Sequence, residues 1–489
     1  MEQLSGNSPK MTQMSSVSTT GQRKGGLRTM SFIILNESFE KVSSYGLMPN
    51  MIFYLMKDYH LDAATGTTVL LLWSAASNAL AIVGAFLSDS CLGRFRVIAL
   101  GSFSSLLGMI MLWLTDVVPE TKPPSFCNPS YGGCKSATAV QLAFLFFSFG
   151  LMSIVKASKS LFTGFFQVLV VAFKNRNLNF PANNSDGCYH QAPDSELIEP
   201  TKSLRFLNKA CIIGNQITDV KPDGSPSNPW KLCTVDQVES LKSLLKVIPM
   251  WSSCIMVQVT INQSTFTAIQ ASTMDRHITT HFQIPAGSFS VFLVLTLTIW
   301  VAMYDRLIVP LMAKHMGRPH GLGQNQRIGI GILVSAAAMA VSAGIERVRR
   351  RSAIREVIMS AMWLVPQQCL LGVAEAMNAV AQIELYYSHF SKNMGSLAMA
   401  LFTLGMAAGN LVGSLIVKIV DGVTKGEGKE SWVSSNPNKG HYDYYYWLLA
   451  ILCFIDFFYF LVCCWVYGPE KEKETKLEGG AGASMATLA

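Results

Sequence analysis

Three charged residues, Glu37, Glu40 and Lys41, interrupt an apolar run from Ser31 to Leu55. A helix of about 25 such residues crosses a bilayer, and each charge near its middle costs roughly 2.5–3.5 kcal/mol on insertion scales. Spacing explains how the three are tolerated. Glu37 and Lys41 stand at i,i+4 and Glu37 and Glu40 at i,i+3, so all share one helix face and Glu37 can pair with Lys41. The second carboxylate then has no cation in its segment, and desolvation raises its affinity for a proton. The chemistry is reversible proton binding. The competing structural reading puts the cluster near a helix end, with its side chains reaching the headgroups. Two further stripes carry polar side chains on apolar helices: Gln258, Asn262 and Thr265 at i, i+4 and i+7, and Glu375, Asn378 and Gln382 at i, i+3 and i+7. Glu384, nine residues after Glu375, falls on the opposite side of its helix or near its end. Polar stripes and a charged cluster on separate membrane helices are the makings of a solute path.

Long membrane helices must position these residues. Half of the 489 residues are hydrophobic, 14% are charged and the mean hydropathy is +0.31, a composition of polytopic membrane proteins. Ten stretches are long and apolar enough to span: about 31–56, 67–87, 97–117, 138–155, 243–268, 287–304, 328–345, 357–386, 394–417 and 443–468. They group as four plus six. The expected segments are a disordered cytoplasmic N-terminus (1–30), an N-terminal bundle (31–155), a cytoplasmic linker (156–242), a C-terminal six-helix bundle (243–468) and a disordered tail (469–489). Within the linker, Leu161–Phe173 is apolar but too short to cross and reads as an interfacial or buried helix. No apolar run precedes the first span, which then serves as the insertion signal. An even number of crossings puts both termini on one side, and the Lys/Arg excess makes that side the cytoplasm. Arg347, Arg349, Arg350, Arg351 and Arg355, expected in an outer loop, run against this trend.

Between the second and third spans, Gly84, Asp89, Gly93 and Arg94 mark a tight loop in which Gly93 permits the turn. Asp89 is within reach of Arg94 or Arg96 there, as a latch or in an ordinary polar turn. Gly405, Gly409 and Gly413, at four-residue spacing, predict a surface of close helix contact. Cys127 and Cys134 share a polar loop expected to face outward and are a disulfide candidate, two free thiols being the alternative. No C-x-x-C pair and no His/Cys spacing suggests a metal. P-loop, H-E-x-x-H, G-x-S-x-G and G-x-G-x-x-G motifs are missing, and no soluble stretch is long enough for a catalytic domain, so an enzyme is not expected. The net charge of +8 is not a nucleic-acid signal, because no basic run is interleaved with aromatics.

The run KGGLRTMSFIILNESFEKVSSYGLMPNMIFYL, with GAFLSDSCLGRFR, YDRLIVPLMAKHMGRPHGLGQNQRIGIG and AEAMNAVAQIELYYSHF, resembles the plant nitrate/peptide transporter family, relatives of the proton-dependent oligopeptide transporters. The resemblance extends from Lys24 to Tyr467. It implies the all-helical major facilitator fold, two bundles rocking about a central site, here with about 4+6 transmembrane helices. It implies proton-coupled symport of a small solute, nitrate first, with a peptide, hormone or other organic anion as the alternative. The family's E-x-x-E-[RK] proton-coupling motif falls on Glu37, Glu40 and Lys41, its acidic tenth-helix position on Glu375, and its loop motif on Gly84, Asp89, Gly93 and Arg94. The histidine that contacts the anion in a nitrate-transporting member corresponds to Thr260. Gln258, Thr260, Asn262, Glu375, Asn378 and Gln382 would line the solute path. No cofactor beyond the coupling proton is implied. The implied partners are the small-molecule substrate and the lipid bilayer, in a multi-pass protein of the plasma membrane. One departure is large: two helices of the family's first half are missing between Ile154 and Val155. A truncated form that transports nothing, acting through association with full-length relatives, is therefore a rival expectation.

Overall fold

The computed structural model describes residues 46–87, 94–121, 137–153, 162–178, 180, 188–191, 200–214, 220–221, 226–228, 230–317, 321–390, 395–426 and 428–467. The expected segments 1–30 and 469–489, and the residues Glu37, Glu40, Lys41, Asp89, Gly93, Cys127 and Cys134, lie outside the described residues. Leu47–Ala489 clusters as one unit and Met1–Gly46 as another, of which Gly46 alone is described.

In the first half, α1 (46–57) turns through His60, at a φ of 55°, into α2 (Ala63–Leu87). Asp62 starts α2 by accepting from the amide of Thr65 at 3.2 Å, which satisfies one of the orphan donors of the first turn. α3 (Arg94–Val117) and α4 (Ala139–Ser153) complete this half. Aromatic stacking and hydroxyls hold it together. Trp73 of α2 stacks on Phe149 of α4 with ring centroids 4.5 Å apart and donates Nε1–H to the Phe149 carbonyl. Ser77 and Ser153 meet at 2.8 Å, and the Ser104 hydroxyl donates to the Leu151 carbonyl. α5 (Phe162–Lys174) follows, an apolar helix too short to span.

The second half begins earlier than its apolar run suggests. α6 (Val235–Ser253) starts at a capping box: Thr234 accepts from the Gln237 amide and the Gln237 side chain accepts from that of Thr234. Its first turns pack against the linker. Val235, Val238 and Leu241 share a core with Phe165, Val168 and Val171 of α5 and with Leu207 and Cys211. The expected single helix over 243–268 is broken. α6 gives way to α7 (Ile255–Ile261) and α8 (Ser264–Ser272), with a 41° bend near Cys254. There the hydroxyls of Ser252 and Ser253 and the Cys254 thiol donate to the Pro249 and Met250 carbonyls, and the Cys254 amide turns to the Trp251 carbonyl, which loosens the regular ladder.

After a hairpin of β1 (His277–Thr279) and β2 (Phe282–Gln283), a helical run extends over Ala286–Met316. It contains α9 (Val291–Met303), a π-helical turn over Tyr304–Ile308 and α10 (Val309–Met316). The expected span ends at 304, but the helix continues through Tyr304-Asp305-Arg306, with a widened turn just before Pro310, whose missing amide breaks the regular ladder. α11 (Gln324–Ile354) likewise overruns its expected end at 345, so Arg347, Arg349, Arg350 and Arg351 are helical and not in a loop. α12 (Val365–His389), α13 (Gly395–Thr424) and α14 (Tyr442–Tyr467) complete the chain. Among the described residues five helices are long and apolar enough to cross a membrane, and the bent 235–272 pair makes a sixth.

The glycine stripe of α13 does bring helices close. A Cβ on Gly405 would sit 3.2 Å from Trp251 Nε1, and one on Gly409 only 2.5 Å from the Gln258 Cβ. Gly413 faces Leu71 of α2, so one face of α13 serves both halves.

Candidate functional site

Of the expected path residues on α12, Asn378 and Gln382 form a ladder with Tyr386. Gln382 donates to Asn378 Oδ1 at 2.7 Å, and the Tyr386 hydroxyl donates to Gln382 Oε1 at 3.0 Å. All three are buried. Spacings of four residues stack them on one face, so each amide finds its partner one turn away. Glu375 lies one turn before Asn378 and continues the row. Glu384, as its position implied, leaves this face and pairs with Arg327 of α11.

The α7 residues are occupied by packing between helices. Thr260 is fully buried: its hydroxyl donates to the Val257 carbonyl and meets Ser335 of α11 at 2.7 Å. A solute path touching Thr260 requires that pair to open. Gln258 is buried with its Cβ against the Gly409 backbone, and Asn262 closes the C-terminus of α7, its amide donating to the Gln258 carbonyl. Thr265, first turn of α8, is also buried. The structure thus assembles Asn378 and Gln382 directly, and ties Gln258 and Thr260 to α13 and α11. Gly84 lies inside α2 and Arg94 opens α3.

Sequence reasoning missed a second buried polar cluster in the same bundle. Glu346 and Arg349 of α11 are 0% and 2% exposed. Arg349 donates Nε–H and Nη2–H to the two Glu346 carboxylate oxygens at 2.7 and 2.8 Å. Its other N–H groups reach Asn438 Oδ1, Thr273 Oγ1 and the Pro437 carbonyl at 2.6, 3.1 and 2.9 Å. All five donors of the guanidinium are used. Gln270 of α8 donates to Glu346 at 2.7 Å and accepts from the Tyr446 hydroxyl at 3.0 Å. The signal was available: Gln263, Thr267 and Gln270 stand at i, i+4 and i+7, and each finds a partner on α12 or α14.

Among the described residues no group of three or more His, Cys, Asp or Glu side chains could hold a metal. In the linker, burial pushes the thiols of Cys211 and Cys233 up to about 12 and about 11, so neither is a ready nucleophile.

Comparison with known proteins agrees with this architecture. A model of the POT family matches residues 136–433. Protein NRT1/ PTR FAMILY 1.2 of Arabidopsis thaliana is 42% identical, with 95% of this chain and 93% of the relative covered. Their alignment runs over 567 positions, more than the 489 residues of the chain, so stretches of the relative face gaps here. Among solved structures, the POT family transporter PepTSo matches with a TM-score of 0.60 at 14% identity, covering 91% of this chain and 99% of that one. An auto-inhibited POT family peptide transporter gives 0.59 at 15% identity, covering 89% and 96%. At these identities the structures show the fold: an all-helical, multi-pass membrane architecture of the major facilitator type.

Proposed function

The chain belongs to the POT family, and from that premise we propose that it is a proton-coupled symporter of a small solute, nitrate being the leading cargo. The observation that supports this reading is the buried amide and hydroxyl row Asn378–Gln382–Tyr386, inside a membrane helix of a chain from a transporter family. Glu37 and Glu40 take up protons with Lys41 as internal counter-ion. Glu375, Asn378, Gln382, Gln258, Thr260 and Asn262 line the solute path, and Gly84, Asp89, Gly93 and Arg94, around the passage from α2 to α3, serve in gating. At 100 mV each inward proton contributes about 2.3 kcal/mol, so a monovalent anion needs two protons to draw on the voltage. Cells of the plasma membrane type test it directly: labelled nitrate uptake in oocytes rises at acidic outside pH. Uptake that is unchanged by Glu40→Gln refutes the proton role. Peptide, hormone or organic-anion tracers in the same assay decide the cargo.

A second reading rests on the alignment gaps: this form lacks part of the first bundle and transports nothing by itself, acting through full-length relatives. Alternating access needs two comparable halves around one site. Proton-dependent flux by the 489-residue chain alone in liposomes ends this reading. Flux that appears only when the missing helices are inserted after Ile154 supports it.

A further inference from the structure

Asp456 lies in the interior of α14, 14 residues from Tyr442 and 11 from Tyr467, which at 1.5 Å per residue is about 20 and about 16 Å from the two ends of the helix. It belongs to neither the proposed path nor the Glu346–Arg349 cluster. The side chain is 9% exposed, and its Oδ2 is buried with no hydrogen-bond partner among the described residues. A charged carboxylate at this depth without a cation is strongly disfavoured, whereas a neutral carboxyl is not.

Among the described residues, its surroundings supply no cation. On α14 itself the titratable neighbours are Cys453, Tyr459, Cys463 and Cys464, all neutral in their ordinary state. Across from it stands Cys254, at the bend between α6 and α7. The described charges of α6 are engaged or remote: Lys242 is bound by Glu239, with Asp236 at the start of the helix and Lys246 two turns before the bend, at the surface. On α11, Arg327 is held by Glu384 and Arg349 by Glu346, while Arg347, Arg350 and Arg351 sit in the last turns. The polar atoms nearby are hydroxyls: Ser335 beside Cys453 at 3.9 Å and Ser252 on Tyr459 at 2.8 Å. Ser335 in turn is bonded to Thr260. Asp456 therefore stands beside the bent α6–α7 span, one turn from Cys453, which meets Ser335, the partner of Thr260.

We propose that Asp456 is a second proton-binding site of this chain, protonated in the conformation described and exchanging its proton at the α6–α7 bend. The proposal rests on the proton-coupled reading above for its role but not for its test. Infrared difference spectra of the purified full chain in lipid, wild type against Asp456→Asn, isolate the carbonyl stretch of a protonated carboxyl at this residue. The expected result is a band at neutral pH that is lost in Asp456→Asn, displaced in Asp456→Glu, and that declines only as the pH is raised above the ordinary carboxylate range. Treatment with a hydrophobic carbodiimide at neutral pH abolishes the same band. Identical wild-type and Asp456→Asn spectra at every pH overturn the proposal, and so does a band that never titrates. Neither outcome depends on uptake, so a failed transport assay leaves this result readable. With transport established, Asp456→Asn shifts the pH profile of uptake while Glu40→Gln abolishes proton dependence.

Discussion

Removing the charge of Glu346 is the sharpest perturbation available. Its carboxylate accepts two N–H groups of Arg349 and one from Gln270, at 2.7–2.8 Å, in a place with no solvent access. Glu346→Gln keeps the shape, but it leaves a buried guanidinium with only neutral acceptors: Asn438, Thr273 and the Pro437 carbonyl. Two hydrogen bonds to charged groups are worth about 1.5–3 kcal/mol each, so about 3–6 kcal/mol is at stake. Breaking one partner of a buried pair typically costs about 3–5 kcal/mol, which agrees. At about 2 °C per kcal/mol for a large domain, the apparent melting midpoint falls by about 6–10 °C. Thermal unfolding in detergent, followed by size-exclusion of the surviving monodisperse protein, measures it. The double variant Glu346→Met with Arg349→Met should recover most of the loss, because replacing both charges removes the desolvation cost along with the attraction. A Glu346→Gln midpoint within about 1 °C of wild type would mean the cluster is hydrated, and the reasoning fails.

Two further outcomes are expected. Gly409→Ala places a methyl 2.5 Å from the Gln258 Cβ, against backbone that cannot rotate away; it should cost about 1–3 kcal/mol and prise α13 from α7, and an unshifted midpoint in the same assay sinks the contact. His441, outside the spans, has its pKa lowered by burial first and by the neighbouring Arg350 second, with Asp443 opposing. The unfolded chain therefore takes up that proton first, so stability is held above the ordinary value of 6.5 and lost as pH falls below it. His441→Gln should flatten the slope of melting midpoint against pH in that acidic window.

Legibility followed the length scale of each signal. Spans were visible because twenty apolar residues have few other homes, and the α13 glycine stripe because four-residue spacing alone makes a smooth face. Ends were harder. Arg347 to Arg351 looked like a loop because charge normally ends a membrane helix, yet Arg349 stays helical by burying its charge against Glu346 one turn back. Tyr304-Asp305-Arg306 misled for the same reason. The break near Cys254 was hidden within an apolar run, where Ser252 and Ser253 were its marks. Partners across helices could not be read at all: periodicity tells which face Thr260 occupies, not that Ser335 waits opposite.

Those partners bear on how such a molecule could move. Inside the second half, polar groups answer one another across α8, α11, α12 and α14, and separating Gln270 from Glu346, Gln368 from Thr267 or Tyr445 from Gln263 strands a buried donor or acceptor at about 1–3 kcal/mol each. The seam between the halves is built differently. Where α2 meets α13, Leu71 lies against Gly413, and Asn410 donates to Ser74 at 3.0 Å while also donating to the Met406 carbonyl of its own helix. Losing Ser74 leaves Asn410 with its local partner, and apolar surfaces parted in a bilayer meet lipid tails rather than water, so their separation costs little. Sliding along α2 and α13 is thus expected to cost less than loosening the second bundle, with that bundle as the rigid body and the small-residue face of α13 as the surface on which the first half would shift.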